Sequence, residues 1–414
     1  MRLSSANPVF TIVLGVFAGL PALSIDLSAP TLTILPTALD TTGFVAGLTL
    51  SLFMVGFAVG QFFGGRLSDR FGRRIVLLSA LTFYVFAGMC CVFATSGPIL
   101  VASRLVQGVG AGACAVQAMA IVQDVFRGEA ARRKQSYVTV VISIVPMLAP
   151  AVGAFMVQAF GWRSVHAVLA VAGVLLLLLV ALTIEESRPL ESRSSLRGYG
   201  FKAGLDMLAE SWFLRIAVTN ALSYGAIFAY IAGAPVVVMQ RFGYSSSAYA
   251  ILFATTALSL TAGAYSNAGL GRRVSGDQLV MPALALQSVA TIILVLADHG
   301  SMVFRLALAI PGLMLCCFGR GVASPNLVHL GVSGHRENAG LAAAMIGLSQ
   351  LLVGAAASVL VAALLPRFGL AAVAMPMAIL ASAAALFWRL TAHAATARAA
   401  TARVATARPQ PDGS

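Results

Sequence analysis

An isolated acidic residue in a long apolar stretch is the first candidate for chemistry in this chain. Asp26 is the only charged residue between Val9 and Leu39. Apolar surroundings disfavour the charged form of a carboxyl group, so such a group can take up and release a proton. We therefore predict that Asp26 is a protonation site. The alternative is that it is an acid at a helix end, in an outer loop.

Arg104, Arg215 and Arg320 also lie inside apolar stretches, and Arg104 and Arg320 are the two considered further. A charged side chain inside a membrane is costly unless it has partners, so each arginine is a candidate functional residue. Arg104 could instead reach water from the end of its helix. Arg320 either pairs with an acid or a helix C-terminus, or faces a cavity and attracts an anionic or acceptor-rich substrate. The other predicted cavity residues are polar or aromatic: Gln107, Asn220, Tyr224, Phe228 and Gln350.

A compact group of charges and glycines follows the second apolar stretch. It consists of Gly65, Asp69, Arg70, Gly72, Arg73 and Arg74. Gly72 predicts a tight turn between two helices, and Asp69 lies beside several bases. Such a cluster can latch two helices together at one membrane face and release them when they move. A basic loop without this role explains the arginines but not the spacing of Gly and Asp.

Two prolines and a glycine interrupt another apolar stretch, at Pro146, Pro150 and Gly153. Proline removes a backbone hydrogen bond and glycine removes bulk, so together they permit a bend and a close contact. An ordinary proline kink is the alternative interpretation. The histidines and cysteines show no metal-ligand spacing, so we predict no metal and no cofactor.

The composition indicates that lipid is the solvent for most of the chain. Of its 414 residues, 59% are apolar and only 10% are charged, whereas a soluble domain carries about 25% charged residues. Disorder requires the opposite composition and is excluded. The net charge of +13 comes from short basic clusters between apolar runs. This pattern indicates membrane topology and anionic lipid headgroups rather than nucleic-acid binding.

Twelve apolar runs are long enough to cross a bilayer as helices, which need about 20 residues each. The runs are too long and too uniformly apolar for the strands of a membrane barrel. The sequence therefore predicts an all-α integral membrane protein. The predicted spans are 9–30, 43–63, 75–95, 98–123, 136–160, 164–184, 213–239, 247–270, 279–297, 303–330, 339–365 and 370–390.

The most polar stretch divides the predicted spans into two sets of six. We predict an N-terminal six-helix bundle at 1–184, a cytoplasmic linker at 185–212, a C-terminal six-helix bundle at 213–392 and a disordered cytoplasmic tail at 393–414. Most of the 27 Lys and Arg fall in segments that share one face if both termini are inside. By the positive-inside rule, this predicts a multi-pass membrane protein with both termini cytoplasmic.

Four motifs resemble those of the major facilitator superfamily. Residues 65–74 resemble its G-x-x-x-D-R-x-G-R-R signature, and residues 104–110 resemble its R-x-x-Q-G-x-G motif. Residues 149–154 match the antiporter motif G-P-x-x-G-G in part, since Ala149 and Ala154 replace two glycines. The Asp-x-x-x-Pro pattern at Asp26 is similar to that of Bcr/CflA-type drug:proton antiporters. The resemblance implies the major facilitator fold and a role for Arg104 in proton coupling.

The resemblance further implies a secondary active transporter, with proton-driven antiport that exports small hydrophobic drugs or metabolites by alternating access. Its expected partners are a small-molecule substrate, protons and the lipid bilayer, and transporters of this kind are typically monomeric. An uptake symporter of the same fold is the main alternative, and a channel would not need the charge latch. No enzyme motif such as H-E-x-x-H, G-x-S-x-G or a P-loop occurs in the sequence, so we predict no enzymatic activity.

Overall fold

A computed structural model describes residues 8–126, 128–187, 201–271, 273–297, 302–335 and 338–392. Within these ranges the chain forms helices and the turns between them, and no strand. Twelve of the described helices are long and apolar enough to cross a membrane. The predicted all-α membrane class and the predicted number of spans are confirmed.

The spans are numbered 1 to 12 in chain order. Span 1 comprises an α-helix, Pro8–Asp26, and a 3-10 helix, Ala29–Thr33. Spans 2 to 6 are Gly43–Phe71, Arg73–Val92, Gly97–Val125, Gly128–Phe160 and Trp162–Thr183. Span 7 is Ser211–Pro235, extended by a π-helix, Val236–Arg241. Spans 8 to 12 are Ser246–Leu270, Gly276–Ala297, Met302–Ser333, Ala339–Phe368 and Ala371–Leu390. Two short helices are Leu35–Ala38 and Phe201–Ala209.

Several helices continue past the predicted boundaries. Span 2 runs to Phe71 rather than residue 63, and span 5 begins at Gly128 rather than residue 136. The predicted limits marked the apolar runs, but polar and basic residues extend a helix as readily as apolar ones. Part of the predicted linker is also helical. Its helix Phe201–Ala209 places Gly204 against the Met345 side chain of span 11.

The rest of that linker, 188–200, and the tail from residue 393 lie outside the described residues.

Spans 2 and 4 pack closely because glycines lie at their contact. A Cβ atom at Gly108 would overlap the Phe53 carbonyl oxygen, and one at Gly112 would overlap the Phe57 carbonyl oxygen. Small residues at these positions let two helices approach backbone to backbone, as is typical of membrane proteins. The glycines of the motif that begins at Arg104 therefore have a packing role.

The first six spans meet the last six along two seams, between spans 2 and 11 and between spans 5 and 8. In the first seam, the hydroxyl of Ser51 donates to that of Ser358 at 2.9 Å. The end of span 1 also contacts the end of span 7, where the Gln240 side chain donates to the Thr33 carbonyl oxygen. These contacts place the interior faces of spans 1 and 7 opposite each other.

Candidate functional site

Asp26 is the last residue of the α-helix of span 1, and its side chain is buried at 4% exposure. It forms no hydrogen bond or ion pair with any described residue. The tyrosines Tyr224, Tyr230 and Tyr249 of spans 7 and 8 lie within electrostatic range of its carboxyl group. The structure thus places Asp26 in the interior, facing the second set of spans, and not in an exposed loop.

The backbone just after Asp26 packs against span 5. A Cβ atom at Gly153 would overlap the Leu27 carbonyl oxygen, so only glycine permits this approach. Pro150 is buried beside it, and Pro146 is half-buried one turn earlier. Both prolines lie inside the continuous helix of span 5. The three residues of the predicted antiporter motif are therefore grouped where span 5 supports the carboxyl-bearing end of the span 1 helix.

Arg104 is enclosed among spans 1, 2 and 4, at 1% exposure. Its guanidinium donates to the Ser24 carbonyl oxygen at 3.0 Å and to the Ser28 hydroxyl at 3.0 Å. It also donates to the Gln107 amide oxygen at 2.8 Å, and it lies 4.2 Å from the ring centre of Phe53. Arg104 therefore does not reach water from the end of its helix.

Arg104 holds span 1 on the side opposite Asp26. Ser24 and Ser28 are four residues apart and share one side of the helical chain, while Asp26, two residues from each, faces the other way. Among the described residues, no acid pairs with Arg104. Gln107 is fully buried and bonded to Arg104, so the structure groups it with Arg104 rather than with the predicted cavity residues.

The other five predicted cavity residues form a cluster among spans 7, 10 and 11. The Arg320 guanidinium donates to the Asn220 backbone and side-chain oxygens at 3.1 and 2.9 Å. The guanidinium also donates to the Gln350 amide oxygen at 3.4 Å. The same oxygen accepts a hydrogen bond from the Asn220 side-chain amide at 3.0 Å. The ring centre of Tyr224 lies 5.4 Å from the guanidinium carbon and 4.8 Å from the ring centre of Phe228.

Tyr224 connects this cluster to the first set of spans. A Cβ atom at Gly354 would lie 2.9 Å from a Tyr224 ring carbon and 2.7 Å from the Met54 methyl group of span 2. Tyr224 is thus in electrostatic range of Asp26 and also contacts Arg320. We use "central cluster" for Asp26, Asn220, Tyr224, Phe228, Arg320 and Gln350.

An apolar cavity of about 260 Å³ lies within the second set of spans. Tyr230 lines it together with apolar side chains of spans 7, 8, 9, 10 and 12, including Val237, Leu294 and Met377. Tyr230 is also in electrostatic range of Asp26. The cavity offers space for an apolar group, although its lining includes none of the six residues of the central cluster. The sequence analysis did not anticipate it.

The predicted charge latch surrounds a turn at Gly72, whose φ of +100° favours glycine. Residues 65–71 belong to the helix of span 2 rather than to a loop. Arg73, which begins span 3, bonds with Asp69 at 2.9 Å and with Asp124 of span 4 at 2.8 Å. Arg70 is exposed and stacks on Phe71. A Cβ atom at Gly65 would make only an ordinary contact, 3.6 Å from the Val116 side chain, and the Gly65 carbonyl oxygen accepts from the Ser68 hydroxyl at 2.8 Å.

A carboxylate after span 6 completes the latch. Glu186 accepts from the backbone N–H groups of Arg73 and Arg74 at 2.8 and 3.3 Å, at the start of the span 3 helix. The Arg74 side chain in turn donates to the carbonyl oxygens of Ala181 and Ile184 at 2.9 and 2.8 Å, at the end of span 6. An acid at a helix N-terminus and a base at a helix C-terminus both interact favourably with the helix dipole and stabilise the helix. Sequence analysis missed this role of Glu186, although an acid directly after an apolar span was a visible signal.

Comparison with known proteins identifies the family. The family model described as Major Facilitator Superfamily matches residues 14–358. The chain belongs to the major facilitator superfamily. It is 31% identical over 354 residues to an uncharacterized MFS-type transporter, YdgK, of Bacillus subtilis (strain 168), covering 84% of this chain and 87% of that protein. It is 28% identical to the multidrug resistance protein MdtL of Citrobacter koseri, covering 73% and 76%.

Solved structures share the fold of this superfamily transporter. The D-xylose-proton symporter superposes with a TM-score of 0.70 at 18% identity, over 92% of this chain and 97% of that one. The human organic anion transporter MFSD10 superposes with a TM-score of 0.64 at 22% identity, over 92% and 100%. These structures show the fold, while the family match and the sequence relatives identify the chain as a membrane transporter and not an enzyme.

Gly153 offers a test of how span 5 supports the transporter's span 1. In Gly153→Val, the new side chain must displace the Leu27 carbonyl, and overpacking of this kind costs about 1 to 3 kcal/mol. We expect substrate transport to be lost, with a lower thermal unfolding midpoint, as measured on vesicles and on purified protein. Gly269→Ala is the control, because nothing lies within 4 Å of a Cβ atom there. Equal behaviour of the two variants would contradict this role of Gly153.

Asp124 offers a test of the latch. Arg73 is buried and bonds with Asp124, so Asp124→Asn leaves it with less counter-charge. For a partly exposed pair, we expect destabilisation by about 1 kcal/mol, and a slower transport rate with unchanged substrate affinity. Thermal unfolding and transport rates measure both effects. Asp206→Asn on an exposed helix is the control, and a similar loss in that variant would show that the effect is not specific to the latch.

Proposed function

We propose that this transporter is a proton-driven antiporter that exports small hydrophobic drugs or metabolites across a bacterial inner membrane. One observation carries the proposal. Asp26 is a buried carboxyl group with no ionic partner among the described residues, and it faces the second set of spans. A proton is the simplest partner for such a group, because a carboxylate without counter-charge is costly inside a membrane.

The two sets of six spans are the moving parts of the proposed mechanism. We treat residues 1–184 and 213–392 as two bundles that rock about their seams and expose the central cluster to one side at a time. The latch joins spans 2, 3, 4 and 6 and keeps one end of the first bundle rigid. Both chain termini lie on the cytoplasmic side in this proposal, because the basic segments share that face.

Coupling arises because the proton and the substrate both bias the equilibrium between the two arrangements of the bundles, which expose the central cluster to opposite sides of the membrane. Ionised Asp26 gives the cluster a negative charge that favours binding of a substrate with a positive or hydrogen-donating group. A proton that enters from outside neutralises Asp26 and favours release of that substrate to the outside. Loss of the proton inside restores the binding state. Linkage requires that each ligand lowers the affinity for the other by the same factor.

Two further facts support export. The curated relatives at 25–28% identity carry the name multidrug resistance protein, and the apolar cavity beside Tyr230 suits a hydrophobic substrate. A proton symporter shares the fold, so the direction of transport must be measured. The partial match to the antiporter motif favours antiport over symport, and its Gly153 packs against span 1 directly after Asp26.

Everted membrane vesicles provide the test. After a respiratory proton gradient is formed, addition of a candidate drug should release part of the gradient in vesicles that contain the transporter and not in vesicles without it. Overexpression should then raise the drug tolerance of cells. A symporter would instead lower tolerance, and the absence of any drug-dependent proton flux for a broad drug panel would contradict the proposal.

A further inference from the structure

Four arginines of the described spans are buried, and they differ in their partners. Arg73 at the start of span 3 pairs with Asp69 and Asp124. Arg215 of span 7 lies 4.0 Å from the Asp277 carboxylate and donates to the Trp388 carbonyl oxygen at 3.1 Å. Arg104 and Arg320 have no acidic partner among the described residues. Removing a charge from water without a counter-charge is unfavourable. An anionic group of a ligand would therefore be stabilised most by these two arginines.

Arg104 already has a structural use, since its bonds to Ser24 and Ser28 hold span 1. Arg320 is less fully satisfied. It carries five N–H donors, and its three hydrogen bonds reach only neutral oxygens, those of Asn220 and Gln350. Its Nε atom makes no hydrogen bond with a described residue and is not completely enclosed. The side chain is 5% exposed, so a ligand reaches it as the bundles separate.

The surroundings of Arg320 suit a carboxylate attached to an aromatic body. A guanidinium presents paired N–H groups that match the two oxygens of a carboxylate. Tyr224 and Phe228 lie beside it with ring centres 4.8 Å apart, and they offer an aromatic surface for a planar group. Asp26 lies within electrostatic range of the same tyrosine, Tyr224, and supplies a negative charge when it is ionised. The cluster thus holds two groups of opposite charge near one aromatic surface.

We propose that the central cluster binds zwitterionic aromatic compounds, with the substrate carboxylate at Arg320 and its ammonium group toward Asp26. The inference rests on the proposed function, because it takes the central cluster as the transport site. It also fits antiport: a proton on Asp26 removes the attraction for the ammonium end, while the carboxylate end remains bound to Arg320 until the cluster opens. Asn220 and Gln350 orient the guanidinium by accepting its other N–H groups.

Four small probes separate the two charges. 4-(Aminomethyl)benzoate is the zwitterion, its amide lacks the negative charge, its N-acetyl derivative lacks the positive charge, and the N-acetyl amide lacks both. Affinities are measured on the purified full-length transporter at neutral pH. We expect the zwitterion to bind at least about tenfold more tightly than either singly charged probe, which is the size of effect expected from one charged hydrogen-bonded contact.

Variants assign each preference to a residue. Arg320→Gln should reduce the preference for the carboxylate probe over the amide probe to less than about twofold. Asp26→Asn should likewise reduce the preference for the ammonium probe over the N-acetyl probe to less than about twofold. Arg215→Gln is the matched control, because it removes a buried arginine outside the cluster and should preserve both preferences. An unchanged carboxylate preference in Arg320→Gln, or none in the wild type, would overturn the inference.

Asn220→Asp provides a second variant that does not remove Arg320. The new carboxylate would stand where the Asn220 oxygen lies 2.9 Å from the guanidinium, and would act as a built-in counter-ion. The carboxylate preference should disappear while the protein stays folded, as monitored by thermal unfolding. A folded Asn220→Asp protein that keeps the preference would contradict the inference. These binding results can be told apart from a failure of the proposed function, which would appear as the absence of drug-dependent proton release from vesicles that contain the wild-type transporter.

Discussion

Asp26→Asn is expected to abolish drug-dependent proton release in everted vesicles while the protein still folds and inserts. Asparagine has nearly the same shape as aspartate but cannot exchange a proton. Because Asp26 has no hydrogen-bonded partner among the described residues, the substitution breaks no contact and should leave the thermal unfolding midpoint unchanged or raised. A group that is charged and buried without a partner is also a source of instability.

Asp40→Asn is the matched control for this experiment. Asp40 follows span 1 but is exposed, and asparagine tolerates its backbone φ of +44°. Export by the control should equal that of the wild type. The Asp26 variant should also exchange substrate between the two sides down a substrate gradient, because the bundles can still rock. Proton-driven export at the wild-type rate in Asp26→Asn would show that another group carries the proton.

The sequence was sufficient for the fold because lipid leaves few choices. Each span must satisfy its own backbone hydrogen bonds, so long apolar runs can only be helices. The same argument does not fix where a helix ends, and the helix of span 2 continues through Asp69 to Phe71. The apolar runs also could not predict the helix at residues 201–209 of the predicted linker. This helix packs through Gly204 against Met345, a residue distant in the sequence.

Candidate residues were recognised more easily than their partners. An isolated acid or arginine in an apolar run is visible in the sequence, which is why Asp26, Arg104 and Arg320 could be singled out. Their partners depend on the rotation of each helix about its axis. Gln107 was predicted to line the cavity, but a 3-residue spacing on one helix brings its amide oxygen to Arg104 instead. Glu186 was missed because its contact with the start of span 3 requires the three-dimensional fold.

The sequence also does not show whether Asp26 and Arg104 contact each other. Opposite charges in neighbouring spans suggest a direct ion pair, yet the structure places Arg104 against Ser24 and Ser28, on the other side of span 1 from Asp26. Any influence of Arg104 on the proton site therefore passes through the position of span 1. This distinction has an experimental consequence, because a positioning role depends on hydrogen-bond geometry and a purely electrostatic role depends on charge.

Arg104→Lys is expected to lose proton-driven export almost as completely as Arg104→Gln. The guanidinium bonds three acceptors on two spans at once, at 2.8, 3.0 and 3.0 Å, whereas a lysine ammonium is a compact point charge on a flexible stem and cannot reproduce this planar arrangement. Lysine keeps the positive charge, so a purely electrostatic role predicts rescue. We expect export to fall at least about tenfold in both variants, the loss expected when a network of charged hydrogen bonds is broken.

The pH profile of the residual export separates positioning from folding. If Arg104 positions span 1, both variants should still bind substrate but should shift the pH dependence of export, because Asp26 no longer faces the same surroundings. Arg215→Gln, which removes a buried arginine at the start of span 7, should lower stability without moving that profile. Full export by Arg104→Lys would mean that charge alone is required, and the hydrogen bonds to Ser24 and Ser28 would then have no part in coupling.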